Sequence, residues 1–105
     1  MYGPEPPGRW TGHIDAGPFK HLVVGRRYVV IREFADHDGT VHPPGEAWTF
    51  LGHSFIPYHD GLSLFVSLDG IHEWQIPMQW VKEEQAGIIN ALQHYVQPAP
   101  QSADA

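Results

Sequence analysis

Apolar and polar residues alternate most clearly between positions 62 and 78. Leu62, Leu64, Val66 and Leu68 alternate with Ser63, Phe65, Ser67 and Asp69; His72, Trp74, Ile76 and Met78 alternate with Glu73, Gln75 and Pro77. A period of two is that of a strand with one buried face. The two arms meet at the turn signal Asp69-Gly70, so they predict a β-hairpin. Its register follows from burial. A two-residue turn sets Leu64 and Val66 opposite Gln75 and Glu73, mixing polar with apolar side chains. A three-residue loop, Leu68-Asp69-Gly70, pairs Leu64 with Trp74, Val66 with His72 and Leu62 with Ile76, which unites the apolar set on one face. The expectation is the three-residue loop with Gly70 left-handed in a bulge, His72 buried on the apolar face, and Ser63 and Ser67 on the solvent face.

Two further runs are rich in β-branched and aromatic residues and predict strands over 27–34 and 46–56. Gly25 precedes the first, and Asp36-His37-Asp38-Gly39 follows it as a turn. Gly52 inside the second suggests a bulge or bend. Beyond Pro77 the period changes to 3.6. Val81, Ile88, Leu92 and Tyr95 fall on one stripe with Ile89 and Val96 beside it, predicting one amphipathic helix over about 80–96. Gly87 would weaken it, and a close crossing of the sheet there would explain its presence.

These elements predict a mainly β fold with one C-terminal helix. A short, bent antiparallel sheet can bury its face by curling into an SH3-like barrel with the helix over one open end. The alternative is an open α+β sheet packed on the helix. Residues 1–18 hold four prolines and four glycines and are expected to form an irregular or loosely docked arm. Residues 19–96 form the single domain, and residues 97–105 a frayed tail.

Composition narrows the classes of function. Cysteine is absent, which excludes disulfides, thiolate catalysis and Cys-ligated zinc. Residues 1–32 carry Arg9, Lys20, Arg26, Arg27 and Arg32 against Glu5 and Asp15, whereas residues 33–105 carry Lys82 alone against ten carboxylates. Such an acidic body disfavours nucleic acid as a partner. No apolar run has the length of a membrane span, and the first residues lack the basic start and apolar stretch of a secretory signal, so the expected location is cytoplasmic.

Several segments are distinctive together: Asp36-His37-Asp38-Gly39, the run Gly45 to Gly52, and Phe55-Ile56-Pro57-Tyr58-His59-Asp60-Gly61-Leu62-Ser63-Leu64-Phe65-Val66. With Gln79-Trp80 and Gln85 downstream, residues 22–92 resemble a family of small bacterial proteins known only as a domain of unknown function. The resemblance implies an SH3-like fold. It implies no activity, cofactor or catalytic residue.

Candidate chemistry is sparse. Asp36, Asp38 and His42 in one loop, with His59 and Asp60 in another, are residue types that bind zinc or nickel. Asp-x-Asp-Gly is also ordinary turn chemistry, and no helical His spacing or EF-hand pattern accompanies it. Ser54, Ser63 and Ser67 lack a nucleophile-elbow context, and the glycines form no phosphate cradle. Glu46 and Trp48 share a strand face, and with Tyr58 and Trp80 they suggest an aromatic groove for an extended peptide. Core packing of Trp48 and Trp80 is the competing explanation. The leading expectation is a non-catalytic module that binds a protein or peptide and needs no cofactor. The alternatives are a protein or hydrolase holding a divalent metal at loops 36–42 and 58–60, and a toxin-neutralising immunity protein.

Overall fold

Strands dominate the computed structural model, which describes residues 1–14, 17–56, 61–80 and 82–100. They are β1 (Tyr2–Glu5), β2 (Arg27–Val30), β3 (Phe34–Ala35), β4 (Val41–His42), β5 (Ala47–Ile56), β6 (Gly61–Ser67) and β7 (Glu73–Gln79). The helix α1 (Glu83–Asn90) and the short β8 (Val96–Pro98) follow. Six strands form one antiparallel sheet in the order β1-β7-β6-β5-β2-β8, and β3 pairs with β4 apart from it. Among the described residues β1 and β8 do not pair with each other, so the sheet is open and not a closed barrel. The barrel expectation is corrected because both terminal segments add edge strands. The open sheet with a helix on one face describes the molecule.

Those edge strands also correct the expected irregular termini. Tyr2 lies opposite Gln75, and Glu5 opposite Glu73. Gly3 touches the neighbouring strand so closely that an added Cβ would lie 2.7 Å from the Glu73 carbonyl oxygen. At the other end Val96 and Gln97 pair with Val30 and Val29. Residues 101–105 lie outside the described residues.

The β6–β7 hairpin keeps the expected faces and changes the register. Leu62 lies opposite Met78, Leu64 opposite Ile76 and Val66 opposite Trp74. The connection is longer than three residues because Asp69 organises it. Asp69 Oδ1 accepts from the amides of Ile71 and His72 at 2.8 and 2.7 Å, and its Oδ2 is 2.6 Å from His72 Nδ1. Hydrogen bonds from the His72 ring, then from those two amides, hold the Asp69 carboxyl far below its ordinary pKa. Gly70 is left-handed as expected, with φ +80°. His72 therefore leaves the apolar face and sits in the loop beside Asp69, which corrects its expected burial opposite Val66.

The core face joins Tyr28, Val30, Trp48, Phe50, Leu62, Leu64, Val66, Ile76 and Met78 to Ile89, Leu92 and Val96 from the C-terminal segment. The expected helix over 80–96 is three pieces. α1 ends at Asn90, a 3-10 turn spans Leu92–His94, and the chain then extends into β8. Breaking the helix turns Val96 onto the sheet edge while Leu92 still reaches the core. A Cβ at Gly87 would meet nothing within 4 Å, so no close crossing explains that glycine. Gln85 Nε2 donates to the Ala35 carbonyl at 2.8 Å, tying α1 to the β3–β4 hairpin.

The opposite face of the sheet is covered as well. Trp10 stacks on Phe65 with ring centroids 5.6 Å apart. Phe65 and Ser67 are buried, which corrects the solvent-facing expectation for Ser67. Glu73, also buried, accepts from the amides of Gly8, Trp10 and Thr11 and from the Thr11 hydroxyl. Burial opposes the Glu73 charge, but these donors outweigh it and lower the pKa. Residues 8–11 are thus pinned by one carboxylate and one aromatic stack, beyond the pairing of β1 with β7.

Candidate functional site

The bulge at Gly52 shapes a partly exposed aromatic surface. Phe50 lies opposite Val66, whereas Gly52 lies opposite Phe65 and His53 opposite Leu64. One extra residue reverses the parity of β5, so Trp48 and Phe50 before the bulge share the core face with His53 and Phe55 after it. Phe55 lies opposite Leu62, and Leu62 opposite Met78, which carries the row across three strands. An eight-residue α1 is only about 12 Å long and does not cover the whole row.

Aromatic side chains gather at the uncovered end. Trp80, one step beyond β7, has Phe55 edge-on at 5.6 Å and Phe19 edge-on at 6.1 Å. Phe19 also packs on His53, with ring centroids 5.0 Å apart. Phe55 is 43% exposed, and Phe19, His53 and Trp80 are partly exposed. Trp80 Nε1 donates to Asn90 Oδ1 at 3.3 Å, which orients the indole against the end of α1. Lys20 Nζ lies over the Trp80 ring, 5.5 Å from its centroid. Rings with one face packed and one face wet suit recognition of an apolar or cationic group.

A second constellation is polar and closed. His42 is fully buried, with Nε2 2.8 Å from Asp36 Oδ2 and Nδ1 2.5 Å from Glu46 Oε2. Its ring stacks on Phe34 at 4.8 Å. Burial alone would push the His42 pKa down. Hydrogen bonds to Asp36 and Glu46, with their charges, outweigh that and raise it to about 9. Asp36 also accepts from the Met1 ammonium at 2.9 Å and from the amides of Asp38 and Thr40. Burial opposes the Asp36 charge, but the His42 and Met1 hydrogen bonds prevail and lower its pKa. An imidazolium donating through both nitrogens has no lone pair for a metal. The arrangement is an internal ion-pair clip that joins β4, the turn before β5 and the first residue.

The expected site residues separate accordingly. Asp36 and His42 meet in the clip, and Asp38, which is exposed, accepts from Met1 at 3.1 Å and from the Tyr2 hydroxyl at 2.8 Å. His59 and Asp60 lie outside the described residues, as does Tyr58. Among the described residues no group of three His, Asp or Glu side chains is arranged to hold a metal ion. Of the expected aromatic groove, Glu46 belongs to the clip and Trp48 is completely buried in the core, so neither lines a groove. Of the described members of that set, Trp80 alone lies in the exposed aromatic patch. Phe19, Lys20, His53 and Phe55 complete it and were not anticipated; the parity change across Gly52 was the signal that could have found His53 and Phe55.

Among the described residues no helix is long and apolar enough to cross a membrane. A search of curated proteins gives no match. Among solved structures, an integron cassette protein from the mobile metagenome of Vibrio cholerae is similar to this chain. The two share 32% identity with a TM-score of 0.76, over 84% of this chain and 99% of that one. Residues 16–99 match a family described as a domain of unknown function, wider on both sides than the 22–92 stretch that carries the resemblance in sequence. Most of the sheet, the whole of α1 and every residue of the aromatic patch fall inside that span, and the chain belongs to this family, DUF3601.

Proposed function

We propose that the protein is a non-catalytic binding module that holds a peptide segment of a partner protein on the patch formed by Phe19, His53, Phe55 and Trp80. The observation that supports this reading is a core face that runs out from under its helix and ends in partly exposed aromatic rings. Aromatic side chains with rigid, packed bases supply binding area at low conformational cost. Among the described residues the buried carboxylates and the buried His42 are already engaged. Asp36, His42 and Glu46 saturate one another, and Glu73 is saturated by the N-terminal arm.

The test is selection from a random-peptide display library, followed by calorimetric titration of the enriched peptides. Phe55→Ser should weaken binding by about tenfold or more with little change in melting temperature, since Phe55 is partly solvated already. A library that yields no peptide dependent on Phe55 or Trp80 would sink the reading.

A further inference from the structure

The aromatic patch already holds a cation. Lys20 Nζ is 5.5 Å from the centroid of the Trp80 ring, and Phe55 and Phe19 stand edge-on to the same ring. The face of an indole carries negative electrostatic potential and attracts an ammonium or guanidinium more strongly than the other aromatic rings do.

The backbone that delivers this lysine is itself unusual. Lys20 has φ +53° and is the one non-glycine in the left-handed region among the described residues. That conformation costs free energy for a residue with a Cβ. It is enforced from below: Phe19 and Leu22 exchange both backbone hydrogen bonds, at 3.0 and 2.8 Å, and Leu22 is completely buried. The anchored turn presents an exposed lysine to the ring. Charge points the same way. The chain as a whole carries a formal net charge of −6, which draws basic partners.

We propose that the Phe19, Phe55 and Trp80 site takes a cationic side chain, lysine or arginine, of the bound peptide, and that Lys20 is a built-in competitor occupying the site until that side chain displaces it. This rests on the peptide-binding reading above and names the chemistry that the peptide must bring.

Choline and its neutral isostere 3,3-dimethylbutan-1-ol are probes that differ in charge and hardly in shape. Each is titrated into the full chain while the indole N–H resonance of Trp80 is followed by NMR, that resonance being assigned by its loss in Trp80→Phe. Choline should shift it and the neutral alcohol should not. In Lys20→Gln the choline dissociation constant should fall roughly two- to fivefold, the range for an exposed cation–π contact. Lys20→Gly, which removes the cation and suits the left-handed turn, should behave the same way. Equal shifts from both compounds, no shift from choline, or unchanged choline affinity in both Lys20 variants would overturn the proposal. The two readings fail separately. Display-selected peptides that need Phe55 but contain no lysine or arginine overturn the cation site and leave the module standing. A choline response that obeys the expectations above, with no peptide selected, does the opposite.

Discussion

Replacing His42 by glutamine should remove most of the alkaline pH dependence of stability. His42 is fully buried between Asp36 and Glu46, and its pKa rises from 6.5 to about 9 on folding. A shift of that size corresponds to about 3 kcal/mol of linkage between protonation and folding. Because the folded pKa is the higher one, the contribution is fully present below pH 6.5 and is lost as the pH climbs through about 9. Urea unfolding of the wild type between pH 6 and 9.5 should therefore show stability falling by about 3 kcal/mol. His42→Gln cannot titrate and leaves Asp36 and Glu46 without their shared cation, so it should be less stable by about 3–5 kcal/mol at pH 7. Its slope over the same window should be nearly flat. The Asp36–Met1 pair persists in the variant, so the difference between the two curves isolates His42. A wild type whose stability is level or rises over this window, or a variant with the wild-type slope, would refute the reasoning.

Glu73→Gln should cost about 1–3 kcal/mol by weakening the acceptor that gathers Gly8, Trp10 and Thr11, and limited proteolysis should then cut faster within residues 1–14. Since the Glu73 pKa is lowered on folding, its stabilisation is present above the ordinary carboxyl range and fades on acidification; melts from pH 7 down to 3 should show a shallower loss in the variant. Gly70→Val should cost about 1–2 kcal/mol in chemical denaturation, because a β-branched residue resists φ +80°. Leu92→Ala should cost about 2–5 kcal/mol, since Leu92 is 1% exposed and packs in the core; a loss below about 1 kcal/mol in the same assay would mean the C-terminal segment contributes little.

The chain's own pattern determined the strand β5, the hairpin β6–β7 and which faces of that hairpin are apolar. Parity along a strand is a local property, so Leu62, Leu64, Val66, Trp74 and Ile76 could be assigned to one face without knowing their partners. It also determined the left-handed Gly70 and the bulge at Gly52, because both follow from turn chemistry or a missing side chain. Register was not local. It depended on Asp69 capping a longer loop with its own carboxylate, and the same loop removed His72 from the core. The two edge strands were hidden for a different reason. Gly3, Pro4 and Pro98 are poor strand formers, and Tyr2–Glu5 and Val96–Pro98 extend only because β7 and β2 offer unpaired edges. Only the tertiary structure could close the Asp36–His42–Glu46 clip, since the raised pKa of His42 and the lowered pKa of Asp36 come from burial outweighed by hydrogen bonds between separate segments. The aromatic patch lies between these cases. Its rings are visible in the sequence, but Phe19, His53, Phe55 and Trp80 come from three separate segments, and they meet because a bulge reverses one strand's parity and a short helix stops before covering them.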